Sequence, residues 1–160
     1  MKSRGLGDVY KRQVFKSARS TVGWQAVGTQ MGALDVALGY ADERMQFGRK
    51  ISSFQLNQDK LATMQGNLVA SESMMAQLAR MEERGSANNE QSALAKAFTS
   101  KLMRETVALG REIMGGNGLI SDYRMAKIFN DAEAIYSYEG TYDINQLIVG
   151  RSITGESAFV

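Results

Sequence analysis

Not one of the 160 residues is proline. At the usual frequency of about 5%, roughly eight would be expected. Proline is the residue that most often ends a helix, sets a turn or marks a loop. A chain without it is poorly equipped for a turn-rich β architecture and lacks the commonest means of kinking a helix. The expectation is long helices, with glycine left to mark their ends.

The apolar pattern agrees. From Val14 to about Met45, Phe15, Ala18, Val22, Ala26, Val27, Met31, Leu34, Leu38 and Ala41 recur at three- and four-residue steps, as on one face of a helix. Gly23, Gly28, Gly32 and Gly39 lie in that stretch, each costing about 1 kcal/mol against alanine, so close approach to another helix or to a ligand is expected there. Phe47-Gly48-Arg49-Lys50 reads as a break. Ser52 and Gln55 have the spacing of a capping box opening a second helix. Its packing stripe is Leu61, Leu68 and Met75, with Met64, Ser71 and Leu78 as companion row, and Gly85 as C-cap. A third helix, from about Asn89 to Met114, presents Leu94, Phe98, Leu102, Leu109 and Ile113, and Gly115-Gly116-Asn117-Gly118 stops it. Shorter helices are expected over Tyr123 to Ile135 and Tyr142 to Ile153. No segment alternates convincingly as a strand. The fold class is therefore all-α, an antiparallel four-helix-type bundle in one domain of residues 14–160. The ten methionines are read as core filler.

Residues 1–13 show no apolar period. They read as a disordered lead, a tag or residues foreign to the natural protein. Lys2, Arg4, Lys11 and Arg12 stand there against Asp8 alone, while the rest of the chain holds 15 basic and 16 acidic groups. The formal charge of +2 thus belongs to this lead, and no nucleic-acid footprint on a folded face is expected. There is no run of about 18 apolar residues to span a bilayer, and the first residues lack the apolar stretch of a secretory signal.

Cysteine and histidine are absent too. That excludes disulfides, thiolate nucleophiles, thiolate or imidazole metal sites, and the serine–histidine triad. No metal site is expected. Any proton transfer must fall to a carboxylate, lysine or tyrosine. Tyr136-Ser137-Tyr138-Glu139-Gly140-Thr141 joins the last two helices. Glu139 there is either a carboxylate partly withdrawn from water, usable as a general base, or a solvated loop residue near a helix N-terminus. Gly115 to Gly118 is either a glycine-rich helix stop or a backbone open to a phosphate; it follows a helix, so the dinucleotide fingerprint does not apply. Arg44 and Arg49 flank a helix end, where the dipole favours them in any protein and where their donor forks also suit a diphosphate.

Taken in order, E-R-M-Q-F-G-R, F-Q-L-N-Q-D-K-L-A-T-M, G-R-E-I-M-G-G-N-G, Y-E-G-T-Y-D-I-N and G-R-S-I-T-G-E-S-A-F resemble the C-terminal helical domain of acyl-CoA dehydrogenases, over about Val14 to Phe159. The likeness is strongest to the glutaryl-CoA dehydrogenase branch and the short-chain acyl-CoA oxidases related to it. The family has three domains, and the chain resembles the last of them, which implies a fragment that is inactive by itself.

The resemblance implies that Glu139 is the base removing the α-proton of an acyl-CoA thioester, with FAD as the hydride acceptor. It implies that Thr141, Arg44, Gln55 and the stretch Glu112, Ile113, Met114, Gly115 and Gly116 contact FAD, several of them across a dimer. It implies that Arg19, Gly140 and Phe159 lie against the substrate. It further implies an electron-transfer flavoprotein or oxygen as acceptor, and a homodimer or homotetramer. The location would be cytoplasmic in a bacterium, or mitochondrial matrix or peroxisome in a eukaryote. A non-catalytic oligomerisation module is the alternative for the isolated chain.

Overall fold

A computed structural model describes residues 6–158. Among the described residues the fold is a helical bundle of α1 (Leu6–Glu43), α2 (Gln55–Glu83), α3 (Asn89–Met114), α4 (Arg124–Ser137) and α5 (Tyr142–Thr154). Three long helices and two shorter ones were expected, and their bounds agree to within the usual one or two residues for all but the start of α1. There the backbone of residues 6–13, part of the stretch read above as a disordered lead, a tag or foreign residues, continues the helix. Once a helix is nucleated, extending it costs little, and Lys, Arg and Gln are good formers.

α3 is the axis of the bundle, packing against α1, α2, α4 and α5. It can do so because the residues it buries are mostly small: Ala93, Ala95, Ala97, Ser92, Ser100 and Gly110. Of the larger apolar side chains expected to form its face, Ile113 is buried, Phe98, Leu102 and Leu109 are only partly covered, and Leu94 is exposed. α1 shows the same shift. Ala26, Ala33, Ala37 and Ala41 are buried, while Met31 and Leu38 are about half exposed. Small residues win the helix–helix seam because they let backbones approach closely, and the large ones are displaced outward.

On α2 the expected stripe is the buried one, with Met64, Leu68, Ser71, Met75 and Leu78 inside. Met64, Met75, Met103 and Met125 are fully buried, each stabilising the fold by about 1.5–3 kcal/mol. Of the four glycines of α1, only Gly23 meets a close neighbour, the thioether of Met75. A buried polar layer crosses the three long helices: Gln30 Nε2 donates to Ser71 Oγ (2.9 Å), and Thr106 Oγ1 donates to Gln30 Oε1 (3.4 Å). Satisfied buried amides of this kind fix the register of one helix against another.

One local expectation fails. Ser52 and Gln55 form no capping box. A 3₁₀ turn, Ile51–Ser53, precedes α2, whose N-cap is Phe54 without a side-chain bond, and Asn57 Nδ2 instead donates to Ile51 O (2.9 Å). The capping box lies at α3, where Asn88 and Gln91 exchange side-chain and backbone bonds of 2.8 Å. The break after α1 is a miniature hairpin, β1 (Met45–Gln46) against β2 (Arg49–Lys50). Its two turn residues, Phe47 and Gly48, both have positive φ, the turn geometry that suits the strand twist. Gly85 does end α2: Gly85 N–H bonds Glu82 O and Ser86 N–H bonds Met81 O, the paired pattern of a Schellman motif. No described helix is long and apolar enough to cross a membrane.

Candidate active site

The sequence-predicted residues gather at two places, near opposite ends of α3. The first is the junction of α4 and α5. α4 ends at Ser137, α5 begins at Tyr142, and Glu139 sits between them, half-buried, with φ +55°. A left-handed conformation costs a non-glycine residue about 1–2 kcal/mol, so something must hold it there. Gly140 follows with φ +86°, and a Cβ on it would stand 3.2 Å from Asn145 Nδ2. Thr141 caps α5, its Oγ1 accepting from Ile144 N–H (3.3 Å).

The holding groups come from three helices. Lys96 of α3, fully buried, donates from Nζ to Tyr136 O (2.7 Å) and Gly140 O (2.8 Å). Asn145 of α5, also fully buried, donates from Nδ2 to Gly140 O (2.8 Å) and Thr141 O (3.0 Å). Tyr138 donates its phenol to Gln25 Oε1 of α1. The rings of Tyr136 and Tyr142 stack across the junction at 5.6 Å, and the Arg104 guanidinium lies 4.4 Å from the Tyr136 ring centre while pairing with Glu133.

Arg19 is buried beside this junction, with Nη1 donating to Asn89 Oδ1 (2.6 Å). Burial lowers its affinity for a proton, and the charges of Glu139 and Glu90 oppose that. Lys96 is pulled down to about 8, by burial first and then by Arg19, with Glu139 acting the other way. Burial, then the charge of Glu139, raises the Tyr138 phenol. The carboxylate thus faces two buried cations.

The second place is a cleft of about 890 Å³ at the other end of α3. It gathers Arg44, Arg49, Gln55, Glu112, Ile113, Met114 and Gly115, all named from the sequence, with Tyr40, Phe47 and Phe54 added. Phe47 and Phe54 meet edge to face, and the Arg49 guanidinium lies 4.1 Å over the Phe54 ring. The Glu112 carboxylate is taken by Lys60 (3.0 Å), so what this residue offers the cleft is backbone. Gly116 is exposed next to the cleft but does not line it. Gly118 has a packing role: a Cβ there would lie 2.6 Å from Arg111 O. Phe159 lies outside the described residues. Arginine forks, flat aromatic rings and an open glycine backbone suit a ligand that combines phosphate with an aromatic ring system.

The helices that carry these two places match a family model, acyl-CoA dehydrogenase, C-terminal domain, over residues 4–154. The chain belongs to that family. It is 36% identical over 136 residues to a probable acyl-CoA dehydrogenase of Mycobacterium tuberculosis, covering 84% of this chain and 35% of that one. It is 32% identical over 149 residues to the acryloyl-CoA reductase (NADH) of Anaerotignum propionicum, covering 93% and 38%. Among solved structures, glutaryl-CoA dehydrogenase from Mycobacterium smegmatis in complex with FADH2 superposes with a TM-score of 0.92 at 26% identity, covering 99% and 40%. The chain therefore spans little more than a third of the length of these relatives.

As an acyl-CoA dehydrogenase C-terminal domain, it brings Glu139, Gly140, Thr141 and Arg19 together at one end and the Arg44–Gln55–Gly115 set together at the other. Lys96, Asn145 and Gln25 went unnoticed in the sequence. For Lys96 a signal existed: it is the one charged residue in A-L-A-K-A-F-T-S, where Ala93, Ala95 and Ala97 mark a helix buried nearly all round.

Proposed function

We propose that this chain serves an acyl-CoA dehydrogenase as the domain that binds FAD and acyl-CoA and supplies the base, Glu139. The observation that carries the reading is the fixed, strained placement of that one carboxylate at a junction clamped from α1, α3 and α5. Strain of this kind persists where surrounding structure over-determines it, and it concentrates at functional sites.

In this reading the Glu139 carboxylate takes the proton from the α-carbon of the thioester, and Gly140 lies beside the acyl group. FAD, when bound, accepts the hydride lost from the β-carbon. The cleft residues Arg44 and Arg49 hold the diphosphate, the rings of Phe47 and Phe54 meet the flat part of the cofactor, and the Gly115 backbone lies against it. Ile113 and Lys96 are 17 residues apart on α3, or about 25 Å at 1.5 Å per residue. One copy would therefore offer its base to one cofactor and its cleft to another, which favours a homodimer or larger homo-oligomer. The likeness to a reductase supports a second direction of use, in which the same carboxylate returns a proton to the α-carbon of an enoyl thioester.

The test is Glu139→Gln in the enzyme carrying this chain. Turnover should fall by about 10²–10⁴-fold, the usual worth of a positioned base, with the flavin retained. Near-normal turnover would end the proposal. Hydrogen peroxide yield against reduction of an electron-transfer flavoprotein separates oxidase from dehydrogenase.

A further inference from the structure

We infer that Lys96 is a positioning residue for Glu139, its Nζ clamping the two backbone carbonyls that bracket the base. The inference rests on the reading of Glu139 as the base. Lys96 is fully buried, and an ammonium group is costly to withdraw from water unless its protons are satisfied. Here they are satisfied at Tyr136 O (2.7 Å) and Gly140 O (2.8 Å). Tyr136 O is one of the last carbonyls of α4, which have no partner inside the helix and favour a cation. Gly140 O is the carbonyl directly after the base.

Between the two anchors lie only Ser137, Tyr138 and Glu139. With both ends pinned to one nitrogen, the chain must turn sharply, and the turn falls on Glu139 at φ +55°. Asn145 grips Gly140 O from the α5 side and leaves it doubly bonded. The Tyr136 ring lies over Lys96 Nζ at 5.9 Å from its centroid, so the clamp and the Tyr136–Tyr142 stack share a residue. Lys96 itself is fully buried and spends its donors on the loop's backbone, so its part is to hold the base.

The test compares Lys96→Met, of similar length and no charge, with Lys96→Gln, which keeps one donating group, in the enzyme carrying this chain. Hydrogen exchange is read at the Glu139, Gly140 and Thr141 amides, and kcat and KM in turnover. Loss of the clamp should speed exchange at those amides about tenfold while buried α3 amides such as Met103 stay protected. In Lys96→Met, kcat should fall about 100-fold, the scale expected for a base displaced by an ångström, with KM within about threefold. Lys96→Gln should fall between wild type and Lys96→Met in both readouts.

Unchanged exchange at residues 139–141 overturns the inference whatever happens to turnover. So does exchange that rises equally throughout α3, which marks a merely structural lysine. If Lys96→Met does not fold, the same two readouts on Lys96→Gln decide. Failure of the base reading looks different: Glu139→Gln then keeps its turnover while Lys96→Met still frees the loop.

Discussion

The phenol of Tyr138 donates to Gln25 Oε1 at 2.5 Å across 113 residues of sequence. This bond ties the residue before the candidate base to α1, so the junction is fixed from outside as well as from the core. Tyr138→Phe removes it and leaves the Gln25 carbonyl facing water. Both groups are partly exposed, so the expected cost is about 0.5–1.5 kcal/mol in urea unfolding, the worth of an ordinary hydrogen bond. The bond also has a pH window. The phenol titrates above its ordinary 10.0, through burial first and the Glu139 charge second. The folded chain therefore holds this proton at pH values where the unfolded chain has lost it. Its contribution is complete below pH 10 and declines as the phenol ionises above that. Tyr138→Phe should remove this alkaline decline, and an unaltered alkaline limb would refute the assignment.

Glu139 has φ +55° and Gly140 φ +86°. Glycine tolerates the left-handed region and glutamate does not, so Glu139→Gly should raise stability by about 1 kcal/mol while abolishing proton abstraction. The opposite pattern, a less stable and still active variant, would mean that this backbone is relaxed and the carboxylate idle. A chemical-denaturation midpoint and a turnover assay on the same variant decide it.

The cleft makes a separate prediction. Arg44 and Arg49 are its cationic groups, with no negative partner inside it once Lys60 has taken Glu112. Arg44→Ala should weaken FAD binding by about 10- to 150-fold, since a charge-assisted bond to phosphate contributes about 1.5–3 kcal/mol, and the loss should shrink as salt screens the site. Titrating FAD into the apoenzyme that carries this chain, at two ionic strengths, measures both. An unchanged affinity would place the cofactor elsewhere.

The glycines separate two kinds of constraint. Gly66 lies exposed in α2, and a Cβ added there would meet nothing within 4 Å, so Gly66→Ala should stabilise by about 0.8–1 kcal/mol through helix propensity alone. At Gly118 a Cβ would come within 2.6 Å of Arg111 O, a backbone atom that cannot move aside. Gly118→Ala should therefore cost about 1–3 kcal/mol. Thermal melts of the pair test the distinction, and a neutral Gly118→Ala would undo it.

Those glycines show why some of this molecule was legible beforehand and some was not. Helix count and ends were readable because Gly85 and Gly115 stand where apolar periodicity stops, and no proline confuses the signal. Local chemistry marked Arg44, Gly115 and Glu139 as candidates with two readings each, but their joint site was found only by likeness, since Gln55 and Gly115 belong to different helices and nothing local says that they meet. The buried faces of α1 and α3 were read only in part: Val22, Ala26, Val27, Ala41 and Ile113 lie inside as expected, but periodicity weighs Met31 and Leu94 heavily and alanine lightly, whereas close packing favours alanine at a seam. The Lys96 clamp was invisible for a further reason. Its acceptors are backbone carbonyls 40 and 44 residues away, which carry no sequence identity.

Lys96 also predicts how stability changes with pH. Its ordinary value of 10.5 falls to about 8, through burial, then Arg19, with Glu139 opposing. The groups facing it are Arg19 from α1 and Glu139 and Tyr136 from the α4–α5 side. Between pH 8 and 10.5 the unfolded chain binds the proton and the folded chain does not, so this group makes stability rise with pH across that window. The gain is at most on the order of 3 kcal/mol. Unfolding free energies of wild type and Lys96→Met should therefore diverge in favour of wild type as pH climbs through the window. A constant difference, or one that closes, would mean that the lysine stays charged. Loss of the proton need not release the loop, because a neutral amine keeps two N–H donors and the clamp uses two carbonyls. Exchange at Gly140 should accordingly show the same protection factor on either side of pH 8, once intrinsic rates are divided out.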